Sequence, residues 1–352
     1  MRNKKKISAI VLAGTMMLSM GTNVLAADNL PAVDDQGKAS ITKDFVMAEG
    51  IATPDAAFNF TVIPTTPDAP AATIDRLVFS NADQGILADG ITTVEKTSNI
   101  TFGTFPHAGE YVYTVAETQD TVNGVEYSTD FYTLRVYVKN SANGVEIQNM
   151  TAEKNTADGT ADHKVSEMTF TNTYRKNAAL EIAKMTTGDL ADKTKDFDFT
   201  ITITPSKTEA DPDSYTGKIG NKTVNVKANT ATPFQLHDGE TLKFDSLPAG
   251  TRYVVTESGA EDGYTPSVEV VENGVNKGKQ TAANETDGIS SANGTTNLVG
   301  EKANKVTFTN DYKDVPITGM IMNNLPFVIV IGIAVLALGT LAMLKKQRRA
   351  GR

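Results

Sequence analysis

Phe197-Asp-Phe-Thr-Ile-Thr-Ile203 alternates apolar and polar side chains, the period of a strand with one buried face. Phe58-Asn-Phe-Thr-Val-Ile63 reads the same way. So do Tyr111-Val-Tyr-Thr-Val115, Tyr132-Thr-Leu-Arg-Val-Tyr-Val138 and Tyr253-Val-Val-Thr256. Asn123-Gly124, Asn143-Gly144 and Asn273-Gly274 carry the chemistry of hairpin turns, because glycine tolerates the positive φ such turns need. No long stretch between the two chain ends holds a 3.6-residue apolar period. The body is all-β.

An internal repeat sets the organisation. Phe58-x-Phe-Thr returns as Phe197-x-Phe-Thr, Val115-Ala-Glu117 as Val255-Thr-Glu257, and Phe170-Thr-Asn172-Thr-Tyr as Phe308-Thr-Asn310-Asp-Tyr. Each return is displaced by roughly 140 residues, the length of one β-sandwich domain. Two tandem immunoglobulin-like sandwiches are expected, over 27–175 and 176–314, meeting near Arg175-Lys176-Asn177.

The ends read as addresses. Arg2 and Lys4-Lys5-Lys6 precede the apolar run Ile7–Met20, and Val24-Leu25-Ala26 offers a cleavage site, so residues 1–26 are expected to be a secretory signal peptide. Leu325–Leu344 carries no charge and is long enough to span a bilayer core of ~30 Å. The basic tail 345–352 would stay on the cytoplasmic side. Just upstream stands Val315-Pro316-Ile317-Thr318-Gly319, which resembles the sortase sorting signal with valine in place of leucine. The resemblance implies cleavage between Thr318 and Gly319 and transfer of the Thr318 carbonyl to an amine. It also implies a Gram-positive cell wall.

Charge and composition exclude several classes. The 352-residue chain holds 33 basic and 42 acidic side chains, and its two ends take nine of the bases and none of the acids. The acidic body repels a phosphate backbone, so no nucleic-acid partner is expected. With no cysteine there is no disulfide, thiolate metal site or thiol nucleophile. His107, His163 and His237 are scattered, and no metal or cofactor is expected. Phosphate-binding glycine loops, Gly-x-Ser-x-Gly and His-Glu-x-x-His are all missing.

Side-chain parity exposes three polar residues per repeat on an apolar face. Lys43 shares its strand face with Ile41 and Phe45, and Lys184 with Leu180 and Ile182. Glu117 lies with Tyr113 and Val115, Glu257 with Tyr253 and Val255. Asn172 stands between Phe170 and Tyr174, Asn310 between Phe308 and Tyr312. Burying isolated charges costs several kcal/mol each, and the trio recurs in the same order at nearly the same spacing. A satisfied ion pair explains one trio better than two.

Desolvation favours a neutral amine beside a neutral acid. The amine can then attack the asparagine carboxamide while the glutamate polarises the carbonyl and shuttles protons, expelling ammonia. The product is an Nζ–Cγ isopeptide bond.

This pattern resembles the Gram-positive pilin isopeptide-linkage domains, specifically the two-domain streptococcal backbone pilins, from about residue 38 to 319. Leu247-Pro-Ala-Gly250, Tyr253 and Glu257 also resemble collagen-adhesin B-type domains, which share the chemistry. The pilin resemblance implies crosslinks Lys43–Asn172 and Lys184–Asn310, with Glu117 and Glu257 catalytic, and no enzyme activity beyond this single turnover. It further implies a wall-anchored pilus shaft of identical subunits, built by a pilus-specific sortase and fixed to peptidoglycan by a housekeeping sortase, with minor tip and basal pilins. A singly wall-anchored adhesin with crosslinked stalk domains is the alternative.

Backbone pilins join Thr318's counterpart to a lysine of the next subunit. The usual Tyr-Pro-Lys motif is absent, and Val136-Tyr-Val-Lys139 only approaches it. Lys164, eight residues before Asn172 and after a Thr/Asp/Gly-rich stretch expected to be a surface loop, best fits the family's position. Lys154 and Lys139 are the fallbacks.

Overall fold

The computed structural model describes residues 38–155, 161–209 and 212–313, and every helix or strand among them is a β-strand. The expected signal peptide, sorting pentapeptide with Thr318 and Gly319, apolar span and basic tail lie outside the described residues. Among the described residues no helix is long and apolar enough to cross a membrane.

The first sandwich packs two sheets. One runs Ala72–Ile74, Ile91–Phe102, Ser40–Ala48, Met168–Tyr174 and Val125–Glu126 in spatial order, with Ile86–Ala88 also on Ile91–Phe102. The other runs Ala161–Val165, Gly144–Asn155, Phe131–Ser141, Gly109–Glu117 and Phe60–Pro64. Alternation decides which faces meet: in Ser40–Ala48 every second residue from Ile41 is buried. Phe45, Phe58 and Phe79 meet edge-on at ring-centroid distances of 5.1–5.5 Å at the centre of this core.

The second sandwich repeats the plan. A seven-stranded sheet is ordered Lys222–Lys227, Ser214–Ile219, Thr241–Pro248, Asn177–Thr187, Lys305–Tyr312, Tyr264–Glu272 and Val275–Thr281. It faces Thr232–Leu236, Phe197–Thr204, Arg252–Glu257 and Ile289–Ser290, with Asn297–Leu298 beside Arg252–Glu257. Ile201, Ile203, Phe244, Val255 and Phe308 are fully buried between them.

In both sandwiches the opening and closing strands are parallel neighbours. Ser40–Ala48 pairs with Met168–Tyr174, and Asn177–Thr187 with Lys305–Tyr312. Hairpins cannot join parallel neighbours, so each pair is closed only after the chain has traversed its whole domain.

Only Arg175 and Lys176 separate the closing strand of the first sandwich from the opening strand of the second. The joint is held on several sides. The Arg175 side chain donates to the Thr208 carbonyl at 2.7 Å and pairs with Glu126. Arg252 pairs with Glu49, Lys176 with Glu301 at 3.1 Å, and the Glu301 N–H donates to the Gly50 carbonyl at 3.0 Å.

Three local expectations need correction. The run Phe58–Ile63 is not one strand. It breaks at Asn59, because Ala56–Phe58 pairs with Leu77–Phe79 while Phe60–Pro64 pairs with Gly109–Glu117. Asn123-Gly124 is a turn but joins no hairpin, since the strands either side of it belong to different sheets. Its glycine is needed for a different reason: φ is +80° and a Cβ there would lie 2.5 Å from the Arg175 carbonyl oxygen. The stretch before Lys164 is not wholly loop either, because Ala161–Val165 is an edge strand, with Lys164 opposite Glu153. Asn143-Gly144 and Asn273-Gly274 do turn hairpins.

Candidate crosslinking sites

The parallel register brings the distant residues of each trio together. Lys43 stands opposite Phe170 and Phe45 opposite Asn172, so lysine and asparagine occupy adjacent strands on the same face, two residues apart in register. The second sandwich gives the same offset, Lys184 opposite Phe308 and Thr186 opposite Asn310. The glutamates end Gly109–Glu117 and Arg252–Glu257 on the facing sheets, where the alternation points them inward.

In the first site Lys43 Nζ lies 2.9 Å from Glu117 Oε1 and 3.0 Å from Oε2. Asn172 Nδ2 donates to Glu117 Oε1 at 2.7 Å, and Asn172 Oδ1 accepts the Ser128 N–H at 2.8 Å. In the second site Lys184 Nζ and Asn310 Nδ2 both donate to Glu257 Oε1, each at 2.7 Å. Glu257 Oε2 and Asn310 Oδ1 are buried without a hydrogen-bond partner. Aromatic rings wall off both amines: Lys43 Nζ lies 4.6 Å from the centroid of Phe58, and Lys184 Nζ 4.2 Å from that of Phe197.

The side chains of both Lys–Glu pairs are 0% exposed. Burial dominates their titration. It lowers Lys43 and Lys184 from the ordinary lysine value to about 8, against the partly compensating pull of the partner glutamates. It raises Glu117 and Glu257, against the opposing pull of the lysines. Both directions favour a neutral amine beside a neutral acid. A protonated Glu257 would also answer the two orphan oxygens, since an Oε2–H can donate to the Asn310 carbonyl. The arrangement holds a nucleophile, a proton carrier and an electrophilic carboxamide in each core.

The lysines considered for linkage between subunits lie elsewhere. Lys164 is exposed on its edge strand. Lys154 pairs with Asp130 at 2.5 Å, and Lys139 with Glu146 at 3.1 Å. Among the described residues, the group that could hold a metal ion is Asp196, His237 and Glu240, whose ligand atoms lie within 4.8 Å of one another. Asp196 is distant in sequence from the other two, and His237 already pairs with both Asp196 and Glu240. Two contributors to the buried sites escaped the sequence reading. The ring over each lysine belongs to the repeated Phe-x-Phe-Thr motif, a signal that was present. Ser128 acts through its backbone and leaves no signal.

Residues 39–175 match the Spy0128-like isopeptide containing domain, and residues 178–312 match a domain of unknown function (DUF7601). A curated pilin of Streptococcus pyogenes serotype M1 is 28% identical over 368 residues, covering 97% of this chain and 99% of that protein. The chain is a streptococcal-type pilin. The pilus tip adhesin Cpa of Streptococcus pyogenes is 41% identical, but over 106 residues that make up 30% of this pilin and 14% of the adhesin. Among solved structures, a major pilin of Streptococcus pyogenes aligns over 78% of the chain at 23% identity and a TM-score of 0.37. The T3.2 major pilin of the same species aligns over 80% at 26% identity, also with a TM-score of 0.37. The pilin is a structural subunit of the pilus shaft. End-to-end correspondence with a pilin, against a partial match to the adhesin, decides this.

Proposed function

We propose that this pilin makes its own crosslinks, Lys43–Asn172 and Lys184–Asn310, and is then joined to identical subunits by sortase. Glu117 and Glu257 act as the proton carriers. The carrying observation is the double occurrence of one buried lysine–glutamate–asparagine contact, with the same two-residue register offset in two cores. Nζ attacks Cγ, the Cγ–Nδ2 bond breaks, and ammonia leaves. An amide resists nucleophiles, so most of the acceleration must come from fixed geometry, worth up to roughly 7–11 kcal/mol.

The topology explains the use. A bond from opening to closing strand lets tension enter and leave each sandwich through covalent bonds, and the hydrogen-bonded ladders between them stay unloaded. Domains over 27–175 and 176–314 would then form a string of braced units. In this reading a pilus-specific sortase cleaves between Thr318 and Gly319 and transfers the Thr318 carbonyl to Lys164 of the next subunit. A housekeeping sortase fixes the fibre to peptidoglycan, the apolar span holding each precursor until cleavage. Minor pilins occupy the tip and base.

Intact mass tests the crosslinks. A 27–314 chain should fall short of its calculated mass by two ammonias, about 34 Da; a mass equal to calculation removes the reading. Denaturing gels of wall extracts test assembly. A high-mass ladder supports the shaft, and a single band supports an adhesin anchored one chain at a time.

A further inference from the structure

We infer that the backbone N–H of Ser128 is a catalytic group for the Lys43–Asn172 bond, and that the Lys184–Asn310 bond is made without such a donor. The inference rests on the crosslinking reading above and concerns how the carboxamide is activated.

In the first site the Ser128 N–H points at Asn172 Oδ1 from 2.8 Å. A fixed donor this close to the carbonyl oxygen is placed to hold the negative charge that develops there as the carbon becomes tetrahedral. The donor is set from several sides. The antiparallel pairing with the closing strand ends at Glu126↔Thr173, which releases the chain from the ladder just before Ser128. The Ser128 carbonyl accepts from Gln119 Nε2 at 2.6 Å, and its hydroxyl accepts the Asp130 N–H at 3.2 Å. Glu117 meanwhile uses both carboxyl oxygens as acceptors for Lys43, and Oε1 also accepts from Asn172 Nδ2. In this arrangement the glutamate faces the amine and the leaving nitrogen, and the N–H faces the carbonyl.

The second site is built otherwise. There the equivalent ladder runs on through Pro266↔Asn310 and Ser267↔Thr309 as far as Val271↔Lys305. Pro266 stands directly opposite the reacting asparagine, and Ser267, the register counterpart of Ser128, is held in the ladder opposite Thr309 instead of being released from it. Asn310 Oδ1 is accordingly left without a donor, and so is the second oxygen of Glu257. The acid proton of Glu257 must therefore polarise the carbonyl.

The first reaction balances as follows. Lys43 Nζ bonds to Asn172 Cγ, and the carbonyl electron pair moves onto Oδ1, held by the Ser128 N–H. Glu117, protonated at the outset, delivers its proton to Nδ2 and takes one from Nζ, ending as it began. The carbonyl re-forms, the Cγ–Nδ2 bond breaks, and neutral ammonia departs.

The test uses the 27–314 chain recovered unfolded, before any bond has formed, and diluted out of urea. Ammonia loss from each domain is timed by mass spectrometry of proteolytic peptides. Ser128→Pro removes the donor. A chain with an ester in place of the 127–128 peptide also removes it, with the serine side chain and the local shape kept. Loss of one such donor slows a reaction about 100-fold or more. The first-domain bond should slow by that factor in the ester chain, with the second-domain bond at its normal rate as an internal control. Cooperative melting of both domains before reaction verifies the fold. Equal first-domain rates with amide and ester overturn the assignment of Ser128. Absence of ammonia loss from either domain of the unmodified chain overturns the crosslinking reading instead.

Discussion

Asn172 lies one side-chain alternation beyond the register partner of Lys43 on the neighbouring parallel strand, and both residues face the same core. Strands sit about 4.8 Å apart and two residues span about 6.6 Å along a strand, a gap that the long lysine stem covers and a shorter amine would not. The same relation holds between Lys184 and Asn310.

Each glutamate should control one bond. Glu117→Ala and Glu257→Ala should each restore the mass of one ammonia and lower the stability of the affected sandwich alone. Each proposed crosslink would close a loop of about 130 residues, for which the chain-entropy treatment of crosslinks gives ~5 kcal/mol. Differential scanning calorimetry should show one transition shifted down and one unchanged; a shift in both would mean that the bonds are not independent.

Bond formation should accelerate with pH across the neutral range. The attacking species is the free amine. At pH 7 an ordinary lysine has about 0.03% of it, and a lysine near 8 about 10%. Burial places Lys43 and Lys184 at about 8. While the glutamates keep their protons, the rate should therefore rise about tenfold from pH 6 to 7 and flatten above 8. Burial raises both glutamates, which extends the range over which they stay protonated. A rate independent of pH between 6 and 8 would exclude lysine deprotonation as the limiting equilibrium.

Lys164→Arg should abolish the polymer ladder while leaving wall-anchored monomer. Guanidinium keeps the charge but is a far poorer nucleophile. Lys164 is itself exposed on an edge strand, eight residues before Asn172. Persistence of the ladder in Lys164→Arg, with loss in Lys154→Arg or Lys139→Arg, would reassign the acceptor without touching the pilin identity.

Gly250→Val should loosen the joint between the sandwiches. Gly250 has φ of +88°, and a Cβ there would lie 2.5 Å from the Ala48 Cβ and 2.6 Å from Ser206 Oγ. Strain of this kind costs about 1–3 kcal/mol. Small-angle scattering should report a broader distribution of interdomain angles, with both crosslinks still formed by mass. Glu49→Ala, which removes a half-exposed ion pair, should change stability by less than about 1 kcal/mol.

The alternation in Tyr132–Val138 and Phe197–Ile203, and the return of Phe-x-Phe-Thr, Val-x-Glu and Phe-Thr-Asn motifs, made the sandwiches and their doubling legible in the sequence alone. Parity also pointed Lys43, Glu117 and Asn172 inward, because strand geometry fixes which side of a sheet a residue faces. Parity cannot say which strands are neighbours. That the opening strand lies beside the closing strand, in parallel and with a two-residue offset, is decided by packing between segments more than a hundred residues apart. The break at Asn59 is tertiary for the same reason: two short segments with identical local preference pair with different partners. So is the meeting of Asp196 with His237 and Glu240. Ser128 marks the limit most clearly, because a backbone N–H is common to every residue except proline, and only the end of a ladder at Glu126 leaves this one free to face Asn172.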